Sequence, residues 1–107
     1  GSAAIQVVTT TDSEAAAALL ARMLVERRLA ACVQIVGPVT SVYRWQDRIE
    51  EAREWQCLIK TREDSFEAVA AALRAVHPYE CPEIVAFPID AGDPAYLDWL
   101  HRETTPS

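Results

Sequence analysis

The chain has 107 residues, half of them hydrophobic and 24% charged, with a formal net charge of -6. That length allows one domain with one modest core, and the composition is globular rather than disordered. An acidic chain lacks the positive surface that displaces counterions from phosphates, and no apolar run approaches membrane-spanning length, so nucleic acid and membrane insertion are set aside.

Gly1-Ser2 reads as a cloning remnant, residues 3–103 as a single domain, and residues 104–107 as a C-terminal tail. Nothing after Ser2 resembles a signal peptide, so the expected compartment is the cytoplasm. "AIQVV" (Ala4 to Val8) is short, rich in β-branched residues and suited to a buried strand. A helix follows, with Thr11 and Glu14 at capping-box spacing and a stripe of Ala16, Leu19, Leu20, Met23 and Leu24 for packing on a sheet. The basic residues of "ERR" at its end offset the helix dipole.

From Cys32 to Trp45 the chain turns strand-like, interrupted by Gly37-Pro38, where a bulge or bend is expected. "WQDRI" reads as a tight reversal without the usual glycine, and a second extended run covers Ile49 to Arg62. The next helix has Asp64 and Glu67 at capping spacing and Phe66, Val69, Ala70, Leu73 and Val76 at helical period, and it stops at Pro78. "PEIVAFPI" is a strand, and "GDPAYLDWLHR" is a last short helix with Asp93 as N-cap and Pro94 in its first position.

"TTDSEAAAALLARML" and "TREDSFEAVAAALRAV" are alike in kind, each an acidic-Ser pair opening an alanine-rich amphipathic helix between two strands. Two such units in tandem predict an α+β, ferredoxin-like (split β-α-β) antiparallel sheet with two helices on one face. The central runs predict a hairpin with arms of roughly 14 residues, on the order of 45 Å long. A domain of this size is more compact than that, so part of the hairpin projects with Tyr43, Trp45 and Trp55, and its open edges invite a homo-oligomer.

Cys32, Cys57 and Cys81 show no C-x-x-C spacing, which argues against a disulfide framework or a zinc site within one chain. No catalytic ordering, H-E-x-x-H motif, phosphate-binding glycine loop or dinucleotide fingerprint is present, so no enzyme is expected and no organic cofactor. Cys32 is either a soft metal ligand or a small buried hydrophobe. His77 is either a cation at a helix end or a metal ligand, and its i, i+4 spacing to Cys81 crosses Pro78, so a shared helical face is not implied. Lys60, Tyr79 and Glu83 form a second constellation, an ion pair oriented by a phenol or one wall of a cleft for a small anion or polar metabolite. Trp45 and Trp99 read as packing anchors at a subunit boundary.

"LAACVQIV", "TSVYRW", "IKT", "HPYE", "PEIVAFPI" and "GDPAYLDWL" occur in this order, and together they resemble the divalent-cation tolerance family CutA. The resemblance covers about Ile5 to Leu100, with HPYE closely followed by PE as its most specific piece. It implies a ferredoxin-like fold, an interlocked homotrimer, and binding of copper and other divalent metals. It also implies clefts between subunits like those of the trimeric PII signalling proteins. On that basis Cys32 and His77 are the expected metal residues, with Lys60, Tyr79, Glu83, Trp45 and Trp99 at the cleft. A PII-like sensor of a small metabolite and a structural trimer holding partner proteins are the alternatives. "WQDR" departs from the family's Trp-Glu-Gly-Lys type of hairpin tip, and Cys57 and Cys81 lie outside the shared motif.

Overall fold

The computed structural model describes residues 3–105, so the expected remnant Gly1-Ser2 and the last two residues of the tail lie outside the described residues. Four strands, β1 (Ala4–Thr11), β2 (Cys32–Trp45), β3 (Arg48–Arg62) and β4 (Val85–Pro88), form one antiparallel sheet in the order β2-β3-β1-β4. The helices are α1 (Glu14–Glu26), α2 (Phe66–Val76) and α3 (Pro94–Thr104), with a short 3-10 turn at Glu63–Ser65 leading into α2. This is the split β-α-β order expected from the tandem units.

Period-two alternation sorts β1 and β3 between the two faces. Ile5 and Val7 of β1, with Cys57 and Ile59 of β3, face α1 and α2 and meet Ala17, Leu20, Leu24, Val69, Ala72 and Leu73. Leu24, Ile59 and Leu73 are fully buried there, each contributing roughly 1.5–3 kcal/mol of hydrophobic transfer. The α1 stripe is rotated from the expected one, because Ala17, Leu20 and Leu24 hold the buried line at helical period and Leu19 faces solvent. Val76 is also exposed, since it is the last helical residue. α3 packs on the other face against Ala4 and Ala31, with Leu100 fully buried.

Strand and helix ends correct several expectations. β1 continues through three β-branched threonines to Thr11, and β4 is confined to four residues. Ser13, rather than Thr11, caps α1 by accepting from the Ala16 N–H, while Thr11 donates its hydroxyl to the Ser13 carbonyl. Asp93 caps α3 as expected, accepting from the Ala95 and Tyr96 N–H groups. Thr104, assigned to the tail, is the last residue of α3 and is buried.

The basic end of α1 serves a different helix from the one expected. Leu29 donates to the Leu24 carbonyl and Arg28 to that of Val25, a Schellman closure with Arg28 at the left-handed position (φ 59°) usually given to glycine. That backbone aims the Arg28 guanidinium away from α1. It donates to the carbonyls of Arg102 and Thr105 at 2.9 and 3.2 Å, and Arg62 donates to the Thr104 hydroxyl and carbonyl. Two arginines thus clasp the end of α3, where helix carbonyls have no intrahelical partners.

The β2–β3 hairpin pairs Cys32 with Lys60 at its base and Trp45 with Arg48 at its tip, and the molecule is 44 Å along its longest axis. Its two-residue turn places Gln46 and Asp47 at φ 50° and 65°, the primed geometry that matches strand twist. The expected irregularity at Gly37-Pro38 is a register shift between Val36 and Val39, around a cis Gly37-Pro38 bond. Gly37 sits against Trp55 so closely that an added Cβ would lie 2.5 Å from the indole Cδ1. The bulge therefore depends on a residue without a side chain.

Candidate functional site: an acidic groove beside the hairpin

The corner between α2 and β4 wraps around the edge of β1. At one end His77 lies on the helix-covered face, its Nδ1 accepting from the Tyr79 N–H at 3.1 Å. A ring that accepts at Nδ1 is neutral with its proton on Nε2, and Nε2 is 3.0 Å from the Thr9 hydroxyl. Burial lowers the His77 pKa, opposed by a hydrogen bond to the Thr10 backbone and by the Asp12 and Glu54 carboxylates.

Two residues on, the chain has crossed to the open face. Tyr79 donates its hydroxyl to Glu54 Oε2 at 2.6 Å, a short charge-assisted bond between corner and hairpin. Burial, with the Glu54 carboxylate bonded to it, holds the Tyr79 phenol well above the usual tyrosine range. Glu54 is only 7% exposed, and among the described residues no Lys, Arg or His forms an ion pair with it.

Between the corner and the hairpin lies a cavity of about 640 Å³. Thr10 and Glu54 line it as buried residues, Ser41 and Tyr79 are half-buried, Tyr43 and Trp45 stand as exposed walls on the hairpin side, and Glu80, Cys81 and Glu83 form the exposed rim on the corner side. Among the described residues, no Lys, Arg or His lines it. Three carboxylates and an exposed thiol, with no basic side chain among the described lining residues, favour cations over anions.

The sequence model of the CutA1 divalent ion tolerance protein family matches residues 5–103. The chain belongs to that family. It is 48% identical over 98 residues to a divalent-cation tolerance protein CutA of Thermus thermophilus, covering 92% of this chain and 95% of that one. A solved Thermus thermophilus structure of that description superposes with a TM-score of 0.93 at 46% identity, covering 95% of this chain and 99% of the other. A CutA1 structure from Oryza sativa gives 0.95 at 37% identity, with 99% and 97% covered. The mouse protein CutA is 43% identical over 95 residues, 89% of this chain, and the chain spans 54% of its length.

Against this family's expected residues, the fold brings some together and separates others. Tyr79, Glu83 and Trp45 share the groove. Lys60 does not join them, because it stands toward the hairpin base and donates to Gln34 Oε1 at 2.8 Å. Trp99 stacks beside Tyr96 on α3, at 5.4 Å between ring centroids, and packs against the second core cluster. Cys32 lies opposite Lys60, beside the Tyr96 hydroxyl, while His77 is bonded to Thr9 on the opposite face of the sheet.

Those two expected metal residues are therefore not brought together within the chain. Both His77 ring nitrogens are already engaged. Cys57 is buried in the main core, where desolvation pushes its thiol up to about 11. Sequence reading missed Glu54, Thr10, Ser41 and Tyr43 as groove residues. The signal for Glu54 was faint: an acid at a buried position of a strand that otherwise turns Cys57 and Ile59 inward.

Proposed function

We propose that the chain acts as a cytoplasmic homotrimer that binds copper or a similar divalent ion at the groove rim and takes part in metal tolerance without catalysis. The observation that carries this reading is the rim itself, where the exposed Cys81 thiol stands with Glu80 and Glu83 in a groove lined by no basic side chain among the described residues. Thiolate is a soft ligand suited to copper(I), and carboxylates suit harder divalent ions. Among the described residues, no three His, Cys, Asp or Glu are placed to hold an ion. Coordination by this chain alone is therefore incomplete, and a neighbouring subunit has to supply the remaining ligands.

Exposed apolar surface supports such an assembly. Val36, Val85 and Phe87 lie uncovered on the sheet, and Val42 and Ile49 along the hairpin. Large apolar side chains exposed on a sheet and along a hairpin are what a subunit interface covers. Three free thiols suit a reducing compartment.

An anaerobic copper(I) titration against a competing chelator, with light scattering on each sample, tests the reading. Wild type and Cys32→Ser should bind tightly and stoichiometrically as trimers, and Cys81→Ser should bind about tenfold or more weakly. Weak binding that is the same in all three proteins would sink it.

A further inference from the structure

We propose that the inner part of the groove, walled by Tyr43, Trp45 and Tyr79 over Glu54, binds a small organic cation, a primary amine or guanidine on a hydrocarbon stem. The proposal goes beyond the metal reading, since it uses Glu54 and the aromatic walls rather than the rim and requires no thiol. Its first support is Glu54. A buried carboxylate is costly unless hydrogen bonds and an opposite charge compensate it, and here Tyr79 supplies a hydrogen bond but, among the described residues, no side chain forms an ion pair with it. A cationic ligand would complete it.

The walls fit the same ligand. Aromatic faces attract a cation brought over them, and the attraction grows when water is excluded. Tyr43 and Trp45 are two residues apart on β2, opposite Glu50 and Arg48, so alternation places both rings on the face that carries Glu54. Thr10 and Ser41 add hydroxyl oxygens that accept N–H donors. A volume of about 640 Å³ is in the range of small-molecule sites. The rim then sets selectivity, because Glu80 and Glu83 repel ligands that carry a carboxylate or phosphate. The matching class is a diamine, polyamine or amino-guanidine, with a second cationic end reaching the rim, and not an amino acid or an anionic metabolite.

Isothermal titration with putrescine, agmatine and spermidine as probes and glutamate as control, all in excess metal chelator, tests this. Wild type should bind at least one of the cations and not glutamate. Glu54→Gln, which keeps the side-chain volume and the acceptor for Tyr79, should weaken binding by roughly tenfold or more. Trp45→Ala, an exposed position near the hairpin tip, should weaken it by about threefold to tenfold. Cys81→Ser should bind as wild type does, so that failure of the metal reading leaves this one standing and the reverse also holds. Absence of binding by wild type at millimolar cation, or equal affinity in Glu54→Gln, would overturn the proposal.

Discussion

Two hollows on this molecule use charge in opposite ways. One, of about 410 Å³, is bordered by Arg27, Arg28 and Arg62 with Asp64 and Thr104. The other is the groove of Glu54, Glu80 and Glu83. In the first, the guanidinium groups of Arg28 and Arg62 end on the carbonyls that close α3, and Arg62 also donates to Asp64 at 3.1 Å. In the second, the carboxylates form no ion pair among the described residues. Charge satisfied from within holds structure together. Charge left without an ion-pair partner in a groove is available to something from outside.

That comparison can be broken most strongly at the clasp. Arg62→Ala removes donors to the Thr104 hydroxyl, the Thr104 carbonyl and Asp64, and should cost about 2–3 kcal/mol in urea unfolding. It should leave groove ligands bound as before. If Arg62→Ala unfolds at the wild-type midpoint, the clasp is not structural.

Gly37→Ala comes next, because it touches the hairpin that carries one wall of the groove. The new methyl would overlap the Trp55 ring, so a loss of about 1–3 kcal/mol is expected, together with weaker ligand binding as the hairpin shifts. Unchanged stability in a thermal melt would mean that Trp55 moves aside freely.

A smaller effect is expected from pH at the corner. The folded state holds His77 neutral with its pKa below the ordinary 6.5, so the unfolded chain takes up the proton first. The contribution of this ring is complete above that value and is lost progressively as pH falls below it. Acidification from pH 7.5 to 5 should lower the unfolding midpoint, and His77→Gln should shrink the difference. An equal acid sensitivity in both proteins would place its origin elsewhere, in the many carboxylates.

The smallest change sharpens the contrast from the groove side. Glu54→Gln should alter stability by no more than about 1 kcal/mol, in either direction, because it trades a charged acceptor for a neutral one and removes a buried charge. A loss as large as that of Arg62→Ala would show that Glu54 is structural, and the distinction between the two hollows would fail.

Much of the architecture was legible because local periodicity and caps carry it. The 3.6-residue and two-residue patterns marked three helices and four strands, the Asp93-Pro94 pair marked the start of α3, and Cys32 to Trp45 matched β2 at both ends. The detail of α1 was less accessible: alanine-rich helices offer several plausible stripes, and packing on the sheet chose Ala17, Leu20 and Leu24. In the site, all five expected cleft residues were marked by residue type and motif, and within this chain Tyr79, Glu83 and Trp45 share the groove while Lys60 and Trp99 lie outside it.

The order of elements, the long hairpin, the corner made by Pro78 and Pro82 and the acidic balance are all properties of neighbours along the chain, and they can be read from it directly. Which charges are answered depends on contacts between distant segments. Glu54 meets Tyr79 across 25 residues, His77 meets Thr9 across 68, and Arg28 meets the end of α3 across 74 and 77. Strand register sets the first two contacts and the left-handed turn after α1 sets the third. Register depends on how two hydrophobic faces bury each other, which no local pattern specifies.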